Sequence, residues 1–138
     1  MIRYLIDSSA VWRILRDKEL RAPWSEAISG GAVGSCHPQR VEFKRSARHV
    51  DEYDRMTDMF AELHPDVSVP KNPWPWIEAA QYRLAQRGRH QALSVTDWLI
   101  CATAAHRDVV VLHDDNDFKS AASLLPDLRE RRIHEIPH

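Results

Sequence analysis

Two short apolar runs, each followed within two residues by an aspartate, constrain the fold of this chain most strongly. Tyr4-Leu5-Ile6 stops at Asp7, and two serines follow it as they would at the start of a helix. The run at 109–112 is continuous and branched, which is typical of a strand covered on both faces. Helical patterns separate the runs, so the sequence predicts an α/β fold. We expect three layers, with a largely parallel central sheet of about four to five strands flanked by helices.

Composition excludes several classes of protein. The chain has 138 residues, 43% of them hydrophobic and 28% charged, which predicts a single folded domain over residues 1–138. Its 19 basic and 20 acidic residues give a net charge of −1, so nucleic acid would have to be bound by a local patch. Cys36 and Cys101 are too few and too far apart for a disulfide framework or a CxxC zinc site. We therefore expect a cytoplasmic protein, with no signal peptide and no membrane span.

The middle of the chain carries the longest periodic pattern. Apolar residues at steps of three or four from Phe43 to Leu63 or His64 predict one long amphipathic helix, ended by Pro65. The other predicted elements are a weak strand at Val67 and Val69, a helix opened by Asn72-Pro73, a helix capped by Ser94 with Asp97, a small helix through Ala121 and Leu125, and a last strand near Ile133 and Ile136.

Acidic residues occur where an open α/β sheet binds its ligands. Asp7, Asp115 and Asp117 follow strands, and ligands bind beyond the carboxyl ends of strands. Asp97 shares a helix face with apolar residues, where a carboxylate is costly unless it caps a helix, is paired or binds a cation. Capping of its own helix therefore remains an alternative for Asp97. Glu42, near the start of the long helix, is taken alone an acid favoured by the helix dipole.

The combination of acids is more informative than any one of them. Carboxylates that gather without a cation repel one another and raise each other's pKa values. Oxygen ligands of this kind select Mg²⁺ or Mn²⁺, which activate water and stabilise displacement at phosphorus. The sequence therefore favours a metal-dependent hydrolase that needs no histidine base.

Four segments in order resemble one family. LIDSSAVW at 5–12, Glu42, SVTDWLICATAA at 94–105 and VVVLHDDNDF at 109–118 are similar to the PIN-domain nucleases, and more closely to the VapC toxins of bacterial toxin–antitoxin pairs. The resemblance covers nearly the whole chain. It implies a PIN-like fold and an endoribonuclease that hydrolyses RNA phosphodiester bonds with Mg²⁺ or Mn²⁺.

The same resemblance implies roles for individual residues. The expected catalytic residues are Asp7, Glu42, Asp97 and Asp115, and the expected metal ligands are Asp7, Asp97, Asp115 and Asp117. Ser8 and His113 are candidates to lie beside the ligands, although the family usually has Ser or Thr where His113 stands. Asp114 is expected to be an exposed neighbour.

Partners are implied in the same way. The expected substrate is RNA, with tRNA as one candidate, and Lys44, Arg45 and Arg48 are the candidate RNA-binding residues. A VapB-like antitoxin and a second copy in a homodimer are the expected protein partners. Trp12 is a candidate to line a groove for the antitoxin.

Three alternatives to this interpretation differ in how well the sequence supports them. The alternative function is a catalytically degenerate PIN-fold module that binds RNA or protein, since His113 and the stretch around Glu42 depart from the family pattern. A phosphate-accepting receiver domain lacks support, because no acidic pair precedes Asp7. A P-loop is excluded because the chain has no GxxxxGK(S/T) run.

Overall fold

A four-stranded parallel sheet forms the centre of the molecule. The computed structural model describes residues 1–137. Within them the strands lie in the order β2-β1-β3-β4, and every neighbouring pair is parallel. The strands are β1 (Tyr4–Ile6), β2 (Val33–Gly34), β3 (Val110–His113) and β4 (Glu130–Arg132). This confirms the predicted α/β class and parallel sheet.

Helices connect the strands and cover both faces of the sheet. After β1 come α1 (Ser8–Arg16), α2 (Lys18–Arg21), a 3₁₀ turn (Ala22–Trp24) and α3 (Ser25–Ser29); after β2 come α4 (His37–Lys44), α5 (Val50–Leu63), α6 (Trp74–Ala85) and α7 (Val95–Arg107); and α8 (Asn116–Ala122) joins β3 to β4.

Each central strand supplies side chains to two separate cores. Tyr4 and Ile6 pack in the core that includes Phe43 and Phe60, from α4 and α5. Leu5, which points the opposite way, packs in the core built on α6, α7 and α8. The alternation explains why these strands are apolar throughout, since both of their faces exclude water.

The predicted long helix from Phe43 to Leu63 is wrong, because the chain breaks into α4 and α5. After α4, the amides of Arg45, Ser46 and Ala47 bond to carbonyls three residues earlier, which forms a tight turn. His49 then caps α5 by accepting the N–H of Glu52, whose carboxylate in turn accepts the N–H of Arg48. The apolar spacing survives across the break, so periodicity alone could not show it.

The predicted strand at Val67 and Val69 is reduced to one isolated bridge between Ser35 and Asp66. The amide of Val67 bonds to the carbonyl of Ser35 at 2.8 Å, but no ladder continues from it. The close approach requires glycine at position 34, because a Cβ there would lie 2.6 Å from Val67 Cγ2.

The last strand precedes the residues expected to form it. Ile133 follows β4, is buried, and donates its N–H to the carbonyl of His113 at 2.8 Å. The indole of Trp24 donates to the carbonyl of Ile133, whereas Ile136 is exposed. Arginine-rich β4 has a half-buried pattern rather than an apolar one, which explains why the sequence did not mark it.

The helices between residues 1 and 137 are short. The longest, α5, has 14 residues, and none combines the length and apolar composition needed to cross a bilayer. The single domain over residues 1–138 stays a prediction, and residue 138 lies outside the described residues.

Candidate active site

Asp7 lies at the carboxyl end of β1, in the middle of the sheet. It is 5% exposed and caps α1: its Oδ2 accepts the N–H of Ser9 at 3.1 Å and the hydroxyl of Ser9 at 2.6 Å. Its own N–H donates to the carbonyl of Leu112 in β3, so the ends of two neighbouring strands are tied together. The carboxylate therefore has a fixed orientation at the edge of the sheet.

Ser9, rather than Ser8, holds Asp7. The Ser9 hydroxyl also accepts the N–H of Asp114 at 2.9 Å, and so connects Asp7 to the loop after β3. Ser8 instead accepts a hydrogen bond from the buried amide of Gln39 in α4. The signal for Ser9 was present in the sequence, because a helix-capping Asp binds the amide two residues later.

Asp97 lies in the first turn of α7 and does cap it. The Ser94 hydroxyl accepts the N–H of Asp97, and the Asp97 Oδ2 accepts the N–H of Ser94, both at 3.1 Å. This is a complete capping box, so the capping explanation is correct. Capping alone does not account for the charges of Glu42 and Asp115, which also act on Asp97.

Three of the predicted acids, Asp7, Glu42 and Asp115, lie close enough to Asp97 for their charges to interact with it. Burial and, to a smaller extent, the charge of Asp97 raise the pKa of Asp7 from 3.8 to about 6, against its bonds from Ser9. Burial also raises the pKa of Asp97, and the charges of Glu42 and Asp115 add to that rise. Asp7 and Asp97, ninety positions apart in the sequence, therefore face the same pocket of negative charge.

Glu42 reaches this cluster from α4. The side chain is partly buried near the end of α4, not near the start of a long helix as expected. Helix α4 packs against both α1 and α7, the helices that carry the caps at Asp7 and Asp97. The break before α5 therefore leaves Glu42 on a short helix that contacts both of these helices.

Asp115 and Asp117 occupy different positions after β3. Asp115 caps α8, and its Oδ1 accepts the N–H of Asp117 at 2.9 Å. Asp117 is exposed in the first turn of α8. Its observed contact with Asp115 is through its backbone, which steadies the Asp115 carboxylate.

His113 is fully buried at the end of β3. Its Nδ1 accepts the N–H of Asp115 at 3.0 Å, and its Nε2 lies 2.9 Å from Glu130 Oε1. The ring also packs against Phe118, with 5.3 Å between ring centroids. A side chain enclosed in this way has no path to a substrate phosphate, but it contacts the backbone of a predicted ligand.

The expectation that Asp114 is exposed is wrong. Its side chain is only 13% exposed and lies 3.0 Å from Arg13 Nε, Arg132 Nη2 and His134 Nε2. These partners come from α1, from β4 and from the segment after it. Such contacts join parts of the chain more than a hundred residues apart, which local pattern cannot reveal.

The donor chemistry of the cluster fits a hard divalent cation. The four carboxylates offer only oxygen. The pKa values of Asp7 and Asp97 are raised chiefly by burial, and the charges of neighbouring acids add to the rise. Burial keeps the nearby thiols protonated, raising the pKa of Cys36 to about 11 and that of Cys101 well above its usual range.

Across residues 1–137, no three acidic, histidine or cysteine side chains already converge as a coordination shell. The acids must draw inward to hold an ion.

The predicted basic patch is partly engaged within the chain. Lys44 bonds to Thr57 Oγ1 and lies 4.7 Å from the centre of the Tyr53 ring. Arg48 forms an ion pair with Glu52, while Arg45 is exposed. The three residues lie at the break between α4 and α5.

Beside this break runs an apolar groove between α1, α4 and α5. Trp12 stacks on Phe43 at 4.5 Å, and Arg16 lies 4.8 Å above the Trp12 ring. The groove has a volume of about 600 Å³, and Met56 and Met59 also line it. Trp12 therefore lines a groove, as expected.

Known proteins resemble this chain in sequence. The sequence matches the PIN domain family over residues 4–124. It is 60% identical over 102 residues to Ribonuclease VapC6 of Mycobacterium tuberculosis, which is 74% of this chain and 80% of that protein. It is 31% identical over 137 residues to Ribonuclease VapC2 of the same species, covering 98% of this chain and 96% of the relative.

Solved structures show the same fold. A chain of VapBC-1 from nontypeable Haemophilus influenzae aligns with a TM-score of 0.76 at 12% identity, covering 98% of this chain and all of the other. A chain of VapBC2 from Rickettsia felis, bound to a promoter DNA fragment, aligns with a TM-score of 0.74 at 14% identity, covering 96% and 98%. With the family match and the identity to named ribonucleases, the chain belongs to the PIN domain family, among the VapC ribonucleases.

Proposed function

We propose that this ribonuclease is the toxin of a VapBC-type pair and cleaves RNA internally with Mg²⁺ or Mn²⁺ bound at the acidic cluster. Asp7, Asp97 and Asp115 would hold the ion directly. Glu42 would complete the cluster as a catalytic acid, and Asp117 would support Asp115 and offer a further oxygen. The bound ion would supply a Lewis acid at the phosphate and a more acidic water.

One observation carries this proposal: Asp97 interacts with the negative charges of Glu42 and Asp115, and Asp7 with that of Asp97. Capping α7 would require one acid, not four. Carboxylates kept close together at a cost in stability are typical of a site that a cation completes.

The residues of the chain prepare the site before any ion arrives. Ser9 fixes the carboxylate of Asp7, and Ser94 fixes the helix end that carries Asp97. These two side chains are therefore oriented in advance, and the approach of the acids to one another is the movement that binding would still require.

We place the RNA backbone along the break between α4 and α5. Arg45 is the most available cation there, because Lys44 and Arg48 already have partners that RNA would need to displace. Phosphate contacts of this kind position a substrate without selecting its sequence. A structured RNA such as tRNA remains the candidate substrate.

We assign the groove beside Trp12 to a VapB-like antitoxin, since the structural neighbours were solved as VapBC assemblies. Its apolar floor and the cations at its rim, Arg16 and Arg55, suit a segment with apolar and acidic side chains. We also propose a homodimer, and a cytoplasmic location in which the free, buried Cys36 and Cys101 stay reduced.

The test is RNA cleavage by the purified chain with and without Mg²⁺ or Mn²⁺, comparing wild type with Asp7→Asn. The matched control is Asp58→Asn, which neutralises an exposed acid on α5. We expect metal-dependent cleavage by wild type and Asp58→Asn, and none by the folded Asp7→Asn protein. A wild type that binds RNA but never cuts it would establish the alternative, a degenerate binding module.

A further inference from the structure

We propose that His113 and Glu130 are positioning residues that hold Asp115 at the acidic cluster through the backbone of the loop after β3. This inference rests on the proposed function, because it concerns how one of the proposed ligands is held. It assigns a role to a residue that departs from the Ser or Thr expected at position 113.

The hydrogen bonds to His113 define which ring nitrogen carries the proton. A backbone N–H can only donate, so Nδ1 must accept the bond from Asp115. Nε2 then carries the hydrogen and donates it to Glu130 Oε1. The two hydrogen bonds together therefore require the tautomer with its hydrogen on Nε2.

Every other side of His113 is fixed as well. Its carbonyl accepts the N–H of Ile133, its ring packs on Phe118, and its backbone pairs with Arg132 in the sheet. Because the side chain is fully buried, it has no solvent-exposed alternative. The imidazole is thus a rigid acceptor, built into the sheet, for the first turn of the loop that carries Asp115.

Glu130 has a separate part in this arrangement. It lies on the edge strand β4, and its side chain is mostly buried, with 21% exposed. As an acceptor next to Nε2, it stabilises the ring form whose Nδ1 is free to accept from Asp115. Without an acceptor at position 130, the ring hydrogen could move to Nδ1 and the contact with Asp115 would be lost.

Two pairs of variants separate positioning from simple packing. His113→Leu removes the acceptor for the Asp115 amide, whereas His113→Asn returns an oxygen to the place of Nδ1. Glu130→Ala removes the acceptor for Nε2, whereas Glu130→Gln keeps one. If His113→Leu does not fold, the pair at position 130 carries the test alone.

The probe is Mn²⁺ alone, without RNA, and the measurement is the concentration that gives half of the maximal rise in melting temperature. We expect His113→Leu and Glu130→Ala to need about tenfold more Mn²⁺ than wild type. Their conservative counterparts should recover most of that loss. Nitrogen NMR of the histidine rings should show His113 with its hydrogen on Nε2.

His64 provides the control for a structural effect. It is also buried, but its Nδ1 bonds to the carbonyl of Val33. His64→Leu should lower the melting temperature without metal and leave the Mn²⁺ concentration at half effect unchanged. The same behaviour in folded His113→Leu, or a hydrogen on Nδ1 of His113, would overturn the inference alone. A wild type that gives no response to Mn²⁺ would overturn the proposed function, and the inference with it.

Discussion

Two aspartates on either side of Ser9 have opposite surroundings. Asp7 is buried, and the charged group that acts on it most is another acid, Asp97. Asp114, whose backbone donates to the same Ser9 hydroxyl, lies within 3.0 Å of three basic side chains. The two carboxylates share one small region, yet only Asp114 has its charge compensated by the protein.

The difference distinguishes an acid that basic side chains surround from an acid whose charged neighbour is another acid. An aspartate with two arginine partners and one histidine partner is explained fully by the contacts it makes with α1, with β4 and with the segment after β4. A buried aspartate whose charged neighbour is another acid makes the folded state less stable when it is ionised, and such an arrangement is typical of a site that a ligand completes. The charge of the neighbours, rather than burial or position, distinguishes the two.

RNA cleavage should show the largest contrast. Asp97→Asn removes a proposed ligand, and a metal contributes several kcal/mol of transition-state stabilisation, so we expect a loss of at least about 1,000-fold. Asp114→Asn keeps the backbone bond to Ser9 and should stay within about tenfold of wild type, as expected for a residue outside the site. Rates at saturating Mg²⁺ decide between them. Equal losses in the two variants would show that the comparison is wrong.

The pH dependence of stability should show the next largest effect. Because burial and the Asp97 charge raise the pKa of Asp7 from 3.8 to about 6, the folded state binds its proton more tightly than the unfolded state does. The stability that Asp7 contributes is complete below pH 3.8 and is lost as pH rises through about 6. At about 1.4 kcal/mol per pKa unit, ionised Asp7 costs the metal-free protein at most about 3 kcal/mol.

Asp7→Asn removes that cost while keeping an oxygen for Ser9. In a metal chelator at pH 7.5 we expect it to melt about 5 °C or more above wild type, and the difference should shrink towards pH 4. Melting curves across this range measure the effect. A variant less stable than wild type at pH 7.5 would show that the Asp7 carboxylate is compensated, like that of Asp114.

Asp114 predicts a smaller effect of opposite sign. Asp114→Ala should destabilise the protein by about 1–2 kcal/mol, because its three basic partners are 35–46% exposed and solvent weakens each contact. Urea unfolding at low salt measures this, and 1 M NaCl should reduce it. The matched control is Asp66→Ala, which breaks a single pair with Arg40 and should cost about 0.5 kcal/mol. Equal costs at both positions would mean that the three partners of Asp114 do not act together.

Local sequence pattern predicted the candidate acids of the site but not the contacts of Asp114 and His113 beside them. Asp7 follows a strand and precedes a helix, and Asp97 follows Ser94 at the spacing of a capping box, so both could be assigned from neighbouring residues. The apolar residues that recur every three or four positions from Phe43 concealed the break between α4 and α5, since this spacing continues through the break. Asp114 and His113 depend on partners in β4 and beyond, and β4 itself has no apolar pattern, so neither role could be read from the sequence.

The smallest effect concerns the two roles of Asp97, as a cap and as a member of the acidic cluster. Ser94→Ala removes the hydroxyl that accepts the Asp97 N–H, and should cost about 1 kcal/mol of stability. Ser94→Thr keeps a hydroxyl at an exposed position and should restore most of it. Cleavage should stay near wild type in both, because the backbone N–H of residue 94 still donates to the Asp97 carboxylate. If Ser94→Ala lost cleavage as completely as Asp97→Asn, the cap would be what orients Asp97 in the site, and structural and functional acids would no longer be separable there.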